Sequence, residues 1–443
     1  MHIQQVKIKN FRCFEDLTVN LNPDVNIFVG NNGSGKSAVL DAISAAMYPY
    51  IYELQNNADR EYTNQSRSPL FQSDLPIKKH NGNQKNIVDF SILTNNLEAW
   101  GTSYRKGVTD NPNEILHMEH DIRIRQKVID DINALENSLQ SELFVVVHYN
   151  SNRNVNTFSE IKNISTFDRF DALKNAFDPT ANLEFFNTKA SFTDLVNWFF
   201  LREFEELRDA KNKGDINLEL HDLKQIRRAI STIIAPNARV YFVQKNSAQL
   251  MVEWETETGE KIELSVNQLS SGYRNMLALV MDFARRLAQA NPQMENPLEA
   301  EAILMIDELD LHLHPTWQQK IIPDLRKVFP NTQIIATTHS PEIVTTVQRH
   351  QVKILEDYQI KECPSPTRGM KSSDVVRYVL GLDNLRPDTE ESRTLTALFE
   401  AIDNGNLEEA KRLRDKLQDW KSFDPDITRA DMQIRRLERE MTA

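Results

Sequence analysis

The chain has 443 residues, of which 40% are hydrophobic and 26% charged, so it can bury one large core or two modest ones. It contains no run of eighteen apolar residues, which argues against a membrane-spanning helix. Its two cysteines, Cys13 and Cys363, are too few for a disulfide framework or a four-thiolate metal site.

The charge balance and the first residues bear on partners and location. Lysines and arginines number 52 against 64 aspartates and glutamates, and the net charge is −12. Such a surface repels phosphate backbones on average, so contact with nucleic acid is expected to be indirect or through a complex. The opening MHIQQVKIKNF lacks the unbroken apolar stretch of a signal peptide. We therefore expect a cytoplasmic protein with no membrane contact.

The first third of the chain alternates between strands and helices. Residues 3–9, 17–21 and 26–29 have the spacing of strands, and residues 37–47 that of a helix that follows a glycine-rich turn. Polar residues dominate positions 50–83, which predicts a long loop or lid. Further strands are predicted over 86–93, 100–106 and 144–149, and one long charged helix over 118–142.

The middle of the chain is predicted to be helical, over residues 159–236. The two motifs on either side, at Lys36 and Ser270, have 233 residues between them. Because a compact nucleotide-binding core needs fewer, the helical stretch is interpreted as an insertion that rises from the core. Strand character returns at 240–243 and 250–255.

The last third has a clear predicted order. An apolar strand covers 302–307, a helical segment 315–329, and a strand 332–339; residues 352–362 fit a hairpin. From about residue 371 the chain is predicted to be helical, and Gly405 separates two helices of an αα-hairpin.

A phosphate loop is predicted at GNNGSGKS, residues 30–37, which matches the pattern G-x-x-x-x-G-K-[ST] in full. The glycines allow a tight turn, so that backbone N–H groups at a helix N-terminus face phosphates. Lys36 is expected to reach the β- and γ-phosphates, and the Ser37 hydroxyl to bind Mg²⁺. The alternative, a chance glycine-rich turn, is disfavoured by the strand before it and the helix after it. The predicted contacts are Asn31, Asn32, Gly33, Ser34, Gly35, Lys36, Ser37 and Ala38.

Two carboxylates end the apolar strand AILMIDE, residues 302–308. Asp307 is expected in the Mg²⁺ shell, and Glu308 is expected to orient and activate the attacking water. The alternative is an ordinary core strand with acidic residues at its exposed end.

A second anion site is predicted at LSSGYR, residues 269–274, where Ser270, Ser271 and Gly272 precede a helix. Since the chain already has a site for its own phosphates, we expect this one to reach the γ-phosphate held by a second copy. The alternative is a plain helix cap.

Three histidines lie near the acidic strand. His339, in TTHSP, is expected to bind the γ-phosphate and report its loss; the alternative is a structural histidine at a strand end. The pair His312 and His314 can indicate a zinc site. The nearby acids, however, are assigned to Mg²⁺ and no third nitrogen ligand is near, so we interpret this segment as a loop between subunits. Arg153, in HYNSNR, is interpreted either as a phosphate-coupling residue or as part of a surface turn.

Taken in order, VKIKNFRCF, GNNGSGKS, LSSGYR, ILMIDE, LHLHP and TTHSP resemble the ABC-type ATPase heads of the SMC/RecF/OLD class, over about residues 3–345. The resemblance implies an α/β fold in which residues 1–158 and 237–362 form the two parts of an ABC/SMC-like P-loop NTPase head. A helical insertion, residues 159–236, lies between these parts. A helical C-terminal region, residues 363–443, is expected to serve oligomerisation or partner binding. The resemblance also implies ATP and Mg²⁺ as cofactors, and a homodimer or higher oligomer with ATP at the interface.

The same resemblance assigns roles to individual residues. Ser270 and Gly272 take the signature role, Glu308 that of general base and His339 that of a switch. Tyr273 stands where transporters usually carry glutamine, and His314 where they carry aspartate. These two departures lead us to expect slow turnover.

Within that class, residues 314–325 and 365–426 resemble the Septu PtuA family of bacterial anti-phage ATPases and their retron-associated relatives. This implies a separate HNH nuclease partner similar to PtuB. The chain fits that division of labour, because it shows no HNH-like cluster and the 93 residues after His350 have helical spacing, unlike a Toprim nuclease.

We therefore expect an ATPase that regulates a nuclease partner in anti-phage defence and is not itself a nuclease. One alternative is a RecF-like repair ATPase that binds DNA ends or gaps; it predicts a basic face, which the net charge disfavours. The other is a metabolic or transport ATPase, disfavoured by the helical insertion and by the lack of a membrane-coupling segment.

Overall fold

The structure is a computed structural model that describes residues 1–58, 87–95, 99–106, 116–137, 142–151, 193–235, 237–244, 248–256, 258–382, 385–420 and 423–442. Contacts divide the chain into two units, Met1–Val375 and Val376–Ala443. The strands, in chain order, are β1 (Ile3–Phe11), β2 (Phe14–Asn20), β3 (Val25–Val29), β4 (Ile87–Thr94), β5 (Ala99–Arg105), β6 (His117–His120), β7 (Val145–Tyr149), β8 (Arg239–Gln244), β9 (Ala248–Glu255), β10 (Lys261–Ser265), β11 (Ala302–Ile306), β12 (Thr332–Thr337), β13 (Val352–Glu356) and β14 (Gln359–Glu362). The helices are α1 (Lys36–Ala58), α2 (Ile122–Asn137), α3 (Thr193–Lys213), α4 (His221–Ile233), α5 (Ser271–Ala290), α6 (Pro315–Gln318), α7 (Ile321–Val328), α8 (Pro341–Val344), α9 (Ser372–Tyr378), α10 (Glu390–Asp403), α11 (Leu407–Lys416) and α12 (Pro425–Thr442).

A six-stranded sheet forms the centre of the first unit, in the order β14-β13-β3-β12-β11-β7. The strands from β13 to β7 are parallel, and β14 pairs antiparallel with β13 as the predicted hairpin. Every residue of β3, β11 and β12 is buried, which is typical of interior parallel strands. Because parallel strands end at one edge, the residues after β3, β11 and β12 meet there.

A five-stranded antiparallel sheet, in the order β2-β1-β4-β5-β6, packs on α1. The Tyr104 hydroxyl donates to the carbonyl of Ala45 over 2.7 Å. Because α1 is a packing partner of this sheet, it extends beyond the predicted end at residue 47, through Pro49, with Tyr50 and Leu54 buried. The prediction of a loop from residue 50 is therefore wrong as far as Ala58; residues 59–86 lie outside the described residues.

The predicted helix over residues 118–142 is wrong at its start. His117–His120 pairs with β5 as an edge strand, with His120 opposite Thr102, and α2 begins only at Ile122. The buried positions of α2 include Ile124 and Val128, whereas Ile122 is exposed. Pairing with a neighbouring strand outweighs local helical spacing at this edge.

The predicted helical insertion is only partly described, because residues 152–192 lie outside the described residues. Helices α3 and α4 both lie within the stretch that the sequence predicts to be helical. However, α4 packs against α5 and α7, and its residues Leu223, Ile226 and Ile230 are fully buried. This helix therefore belongs to the core rather than to an excursion from it.

A three-stranded antiparallel sheet, β10-β9-β8, follows α4. Strands β8 and β9 agree with the sequence, but β10 was not predicted. The chain leaves β10 through a short 3-10 turn at Val266–Gln268 and enters α5. This sheet therefore leads directly into the predicted signature motif.

The second unit has its own hydrophobic core, formed by α10, α11 and α12. Gly405, with φ of +70°, separates α10 from α11 as predicted. The unit begins at Val376, not at residue 363, because residues before it bond to the first unit: the Thr367 hydroxyl donates to the Val347 carbonyl over 2.6 Å. The buried side chains of this core are Leu395, Leu398, Ala401, Ile402, Ala410, Leu413, Leu417, Ile427, Ala430 and Ile434.

Among the helices that the structure describes, none combines the length and apolar character that crossing a membrane requires.

Candidate functional site

The phosphate loop connects β3 to α1, and its backbone conformation depends on glycine. Gly30 has φ of +152° and Gly35 φ of +101°. A Cβ at Gly30 would lie 2.3 Å from the carbonyl oxygen of Leu355, and one at Gly35 would lie 2.8 Å from the ring of Phe14. Any side chain at either position would therefore clash as well as strain the backbone.

Lys36 and Ser34 are placed to meet an anion. The Lys36 ammonium donates to the carbonyls of Gly30, over 3.0 Å, and Asn31, over 2.9 Å, so it reaches back across the loop. Burial lowers the pKa of Lys36, although the charges of Asp307 and Glu308 oppose this shift. The Ser34 hydroxyl is shielded from solvent and has no hydrogen-bond partner among the described residues, which fits a loop built for a phosphate.

The first turn of α1 and the end of β11 supply neighbouring oxygen ligands. The Ser37 hydroxyl donates to Asp307 Oδ1 over 3.0 Å. A hydroxyl beside a carboxylate fits Mg²⁺, which takes few protein ligands and keeps waters or substrate oxygens. Elsewhere in the described parts of the chain, no three His, Cys, Asp or Glu side chains cluster as a metal site would.

Thr337, the last residue of β12, organises both predicted catalytic carboxylate positions. Its hydroxyl donates to Asp307 Oδ1 over 2.5 Å and accepts from the Glu308 N–H over 2.8 Å. Glu308 adopts a left-handed conformation, with φ of +48°. The backbone therefore makes a sharp turn immediately after Asp307, so that the carboxylates of Asp307 and Glu308 point in different directions.

Sequence reasoning did not assign a role to Thr337. The available signal was its place at the end of a buried strand in TTHSP, but the contacts depend on β12 lying beside β11.

The predicted switch residue, His339, follows β12 and is exposed. Its backbone N–H donates to Asp310 Oδ1 over 3.2 Å, and the Thr338 hydroxyl donates to the same oxygen over 2.5 Å. Asp310, which the sequence did not single out, therefore fixes the backbone that carries His339 at the edge where β3, β11 and β12 end.

The predicted signature residues lie at the N-terminus of α5. Ser270 caps this helix, with its hydroxyl accepting from the Tyr273 N–H over 3.3 Å. Ser270 and Ser271 are exposed, and Gly272 is buried. In the described structure, neither serine hydroxyl is hydrogen-bonded to the phosphate loop of the same chain. The motif thus caps α5, as the alternative interpretation of a plain helix cap expects, and it also exposes two serines to solvent.

Among the described residues, His312 and His314 belong to no group of three or more His, Cys, Asp or Glu side chains that could hold a metal ion. His314 caps α6 through Nδ1, which accepts from the Thr316 N–H over 3.3 Å, and His312 is exposed with φ of +63°. Arg153 lies outside the described residues.

A parallel sheet, a glycine-dependent phosphate loop and two carboxylates at the same edge define an α/β P-loop ATPase head, which confirms the predicted fold class. The chain belongs to the family described as "AAA domain, putative AbiEii toxin, Type IV TA system", which matches residues 25–345. Residues 1–47 also match the family described as "AAA ATPase domain".

Individual relatives cover almost the whole chain. The Retron Vc95 probable ATPase of Vibrio cholerae serotype O1 biovar El Tor is 27% identical, over 94% of this chain and 86% of that protein. The Septu protein PtuA of Bacillus thuringiensis is 22% identical, over 87% of this chain and 85% of that protein. A crystal structure of an Smc head bound to the C-terminal winged-helix domain of ScpA aligns with a TM-score of 0.46 and 15% identity, over 82% of this chain and 96% of that one. The two sequence relatives confirm the predicted resemblance to Septu and retron ATPases.

Proposed function

We propose that this chain binds ATP with Mg²⁺ at the phosphate loop and hydrolyses it. One observation carries this proposal: the Lys36 ammonium, the Ser37 hydroxyl and the Asp307 carboxylate lie together at one sheet edge, and Glu308 follows directly. These groups can hold a triphosphate and its metal next to a carboxylate able to activate water.

Each group has a distinct role in the proposal. The backbone from Asn31 to Ala38 and the Lys36 ammonium bind the phosphates, and Ser37 and Asp307 hold Mg²⁺. When bound, the metal neutralises the charge of the phosphate oxygens. Glu308 orients and deprotonates the attacking water, and His339 contacts the γ-phosphate from the neighbouring strand end.

A second copy completes the site in this proposal. The exposed serines at the start of α5, a helix of 20 residues, present hydroxyls and backbone N–H groups to solvent. Ser270, Ser271 and Gly272 therefore contact the γ-phosphate bound by the other copy, in a homodimer or higher oligomer. Tyr273 and His314 replace residues that support fast turnover in transporters, so hydrolysis is slow.

The relatives extend the proposal to a biological role. Two of them are named as a Septu PtuA protein and a retron probable ATPase. By analogy, this chain acts in anti-phage defence, where its nucleotide state regulates a separate HNH nuclease partner similar to PtuB. The net charge of −12 favours this role over a RecF-like DNA-repair ATPase.

The shared site is tested by mixing two inactive variants. Ser270→Arg blocks the signature and Lys36→Ala disables the phosphate loop, so each alone should lose ATP hydrolysis. In an equal mixture half of the pairs are mixed, and each mixed pair has one intact composite site. We expect roughly a quarter of the wild-type rate to return.

The control for this experiment is Ser373→Arg, the same substitution at an exposed position of α9, which should leave the rate unchanged. Recovery in no mixture, or full activity of Ser270→Arg alone, would contradict a site shared between copies.

A further inference from the structure

The turn between β13 and β14 consists of two residues, Asp357 and Tyr358, and both have a left-handed backbone, with φ of +50° and +59°. A hairpin turn of this kind favours Asp-Gly or Asn-Gly, because glycine has no Cβ to crowd the backbone. Tyrosine at the second position is therefore strained. A bulky residue held in such a conformation points to a function for its side chain.

The packing of the Tyr358 ring does not compensate for this strain. The residue remains 43% exposed. Its ring meets the Phe14 ring edge-on, with the centroids 6.5 Å apart and an interplanar angle of 83°. A large part of this aromatic side chain is therefore open to a further planar group.

Two contacts place the hairpin beside the phosphate loop. The carbonyl oxygen of Leu355 would lie 2.3 Å from a Cβ at Gly30, so β13 packs directly on the start of the loop. The Phe14 ring would lie 2.8 Å from a Cβ at Gly35, so this ring packs on the other end of the loop. Because Tyr358 contacts Phe14, its ring lies at the border of the phosphate loop.

The order of the central sheet indicates which part of a nucleotide passes this hairpin. Asp307 and His339 follow β11 and β12, which lie on one side of β3, whereas β13 and β14 lie on the other side. In the proposed function, the metal and the γ-phosphate are on the side of Asp307 and His339. The base is at the opposite end of ATP from the γ-phosphate, so it extends toward the side that carries Tyr358.

We propose that the Tyr358 ring stacks on the base of the nucleotide held by the phosphate loop and favours purine nucleotides. The inference rests on the proposed function, which places ATP at this loop. Stacking of an aromatic side chain on a base strengthens binding by roughly tenfold, and a purine offers a larger face than a pyrimidine. The strained turn holds the ring at the position that the base reaches.

The test measures binding of ATP, CTP and inorganic tripolyphosphate, each with Mg²⁺, to the full-length protein by calorimetric titration. Tyr358→Gly removes the ring and suits the left-handed turn, so its melting temperature should not fall. Tyr358→Phe keeps the ring. Asp357→Gly is the matched control, because it relaxes the same turn and leaves Tyr358 in place.

We expect Tyr358→Gly to weaken ATP binding by about tenfold, to narrow the preference for ATP over CTP, and to leave tripolyphosphate binding unchanged. Tyr358→Phe and Asp357→Gly should bind ATP as the wild type does. Unchanged ATP affinity of Tyr358→Gly, an equal loss with tripolyphosphate, or equal wild-type affinities for ATP and CTP would overturn the role of Tyr358 alone. A wild type that binds neither ATP nor tripolyphosphate would instead overturn the proposed function, and the base contact with it.

Discussion

At the scale of single residues, the site depends on a hydroxyl at the end of β12. Thr337 contacts both Asp307 and the backbone of Glu308, and it is fully buried. If the hydroxyl is removed, the Glu308 N–H loses this acceptor and Asp307 loses one of its donors, while the Ser37 hydroxyl still donates to Asp307. Leaving one such buried group unsatisfied costs about 1–3 kcal/mol.

We therefore predict that Thr337→Val, which keeps the shape but not the hydroxyl, retains ATP binding and slows hydrolysis by about 10–100-fold. Glu308→Gln serves as the reference and should bind ATP without hydrolysing it. Both are measured by nucleotide-binding titration and phosphate release.

Thr337→Ser is the matched control, since it restores the hydroxyl and should recover most of the rate. If Thr337→Val turns over ATP as fast as the wild type, Thr337 does not position the carboxylates.

The residues predicted from sequence and those missed differ in one physical respect. The phosphate loop and the acidic strand end are local patterns, and the structure brings Ser37 and Asp307 within 3.0 Å. Thr337 and Asp310 act through partners on another strand, so their importance depends on the order β3-β12-β11. A single sequence contains that order only implicitly.

At the scale of elements, α3 and α4 are joined by partly buried ion pairs. Arg227 bonds to Glu206 over 2.7 Å, and Arg202 to Asp222 over 2.8 Å. Glu203 lies beside them and accepts from the Phe242 N–H of β8 over 2.8 Å. Burial raises the pKa of Glu203 to about 7, although the Phe242 N–H and Arg227 oppose this shift.

A carboxylate with a raised pKa makes stability fall as pH rises. Between about pH 4.5 and 7 the folded chain holds a proton on Glu203 that the unfolded chain has released, so the free energy of unfolding decreases through this range. Glu203→Gln removes that dependence and keeps an acceptor for Phe242. We predict that the variant is more stable than the wild type by on the order of 2 kcal/mol at pH 8 and equally stable at pH 4.5.

The measurement is thermal or urea unfolding at both pH values, with Glu260→Gln at an exposed position as the control. Equal gains at pH 4.5 and pH 8 would show that the charge of Glu203 is not the cause.

Sequence patterns predicted most strands and helices but not where tertiary packing overrides them. The sequence predicted a helix that ends at residue 47 and a polar loop from residue 50, yet Tyr50 and Leu54 are buried and α1 continues through Pro49 to Ala58. The start of α2 was misplaced because strand pairing with β5 leaves no local signal in His117–His120. In both cases the deciding partner is distant in sequence.

At the scale of the whole molecule, the chain has two units with separate cores. All predicted nucleotide contacts lie within Met1–Val375, and the core of α10, α11 and α12 lies within the second unit. The sequence predicted helices from about residue 371, and α9 begins at Ser372, but it set the boundary of the C-terminal region at residue 363, whereas the contacts divide the chain at Val376.

We predict that a chain ending at residue 382, which keeps α9 whole, still folds and binds ATP with the affinity of the full-length protein. Its nucleotide contacts and the packing around them remain complete. Circular dichroism and nucleotide titration measure the two properties.

In the full chain, Leu398→Ala should lower the stability of the second unit by about 2–5 kcal/mol without changing ATP affinity, and serves as the companion variant. A folded but non-binding shortened chain would show that the second unit contributes to the nucleotide site.

The left-handed backbone at Glu308 has a consequence for how such a protein changes over generations. Glycine or asparagine would occupy this conformation at a lower conformational cost than glutamate. In a lineage no longer selected for ATP hydrolysis, either replacement would increase the stability of the folded chain and leave the fold intact. Loss of activity would thus begin with a substitution at position 308. Keeping glutamate there requires continuing selection, because glycine or asparagine fits this backbone conformation at a lower cost.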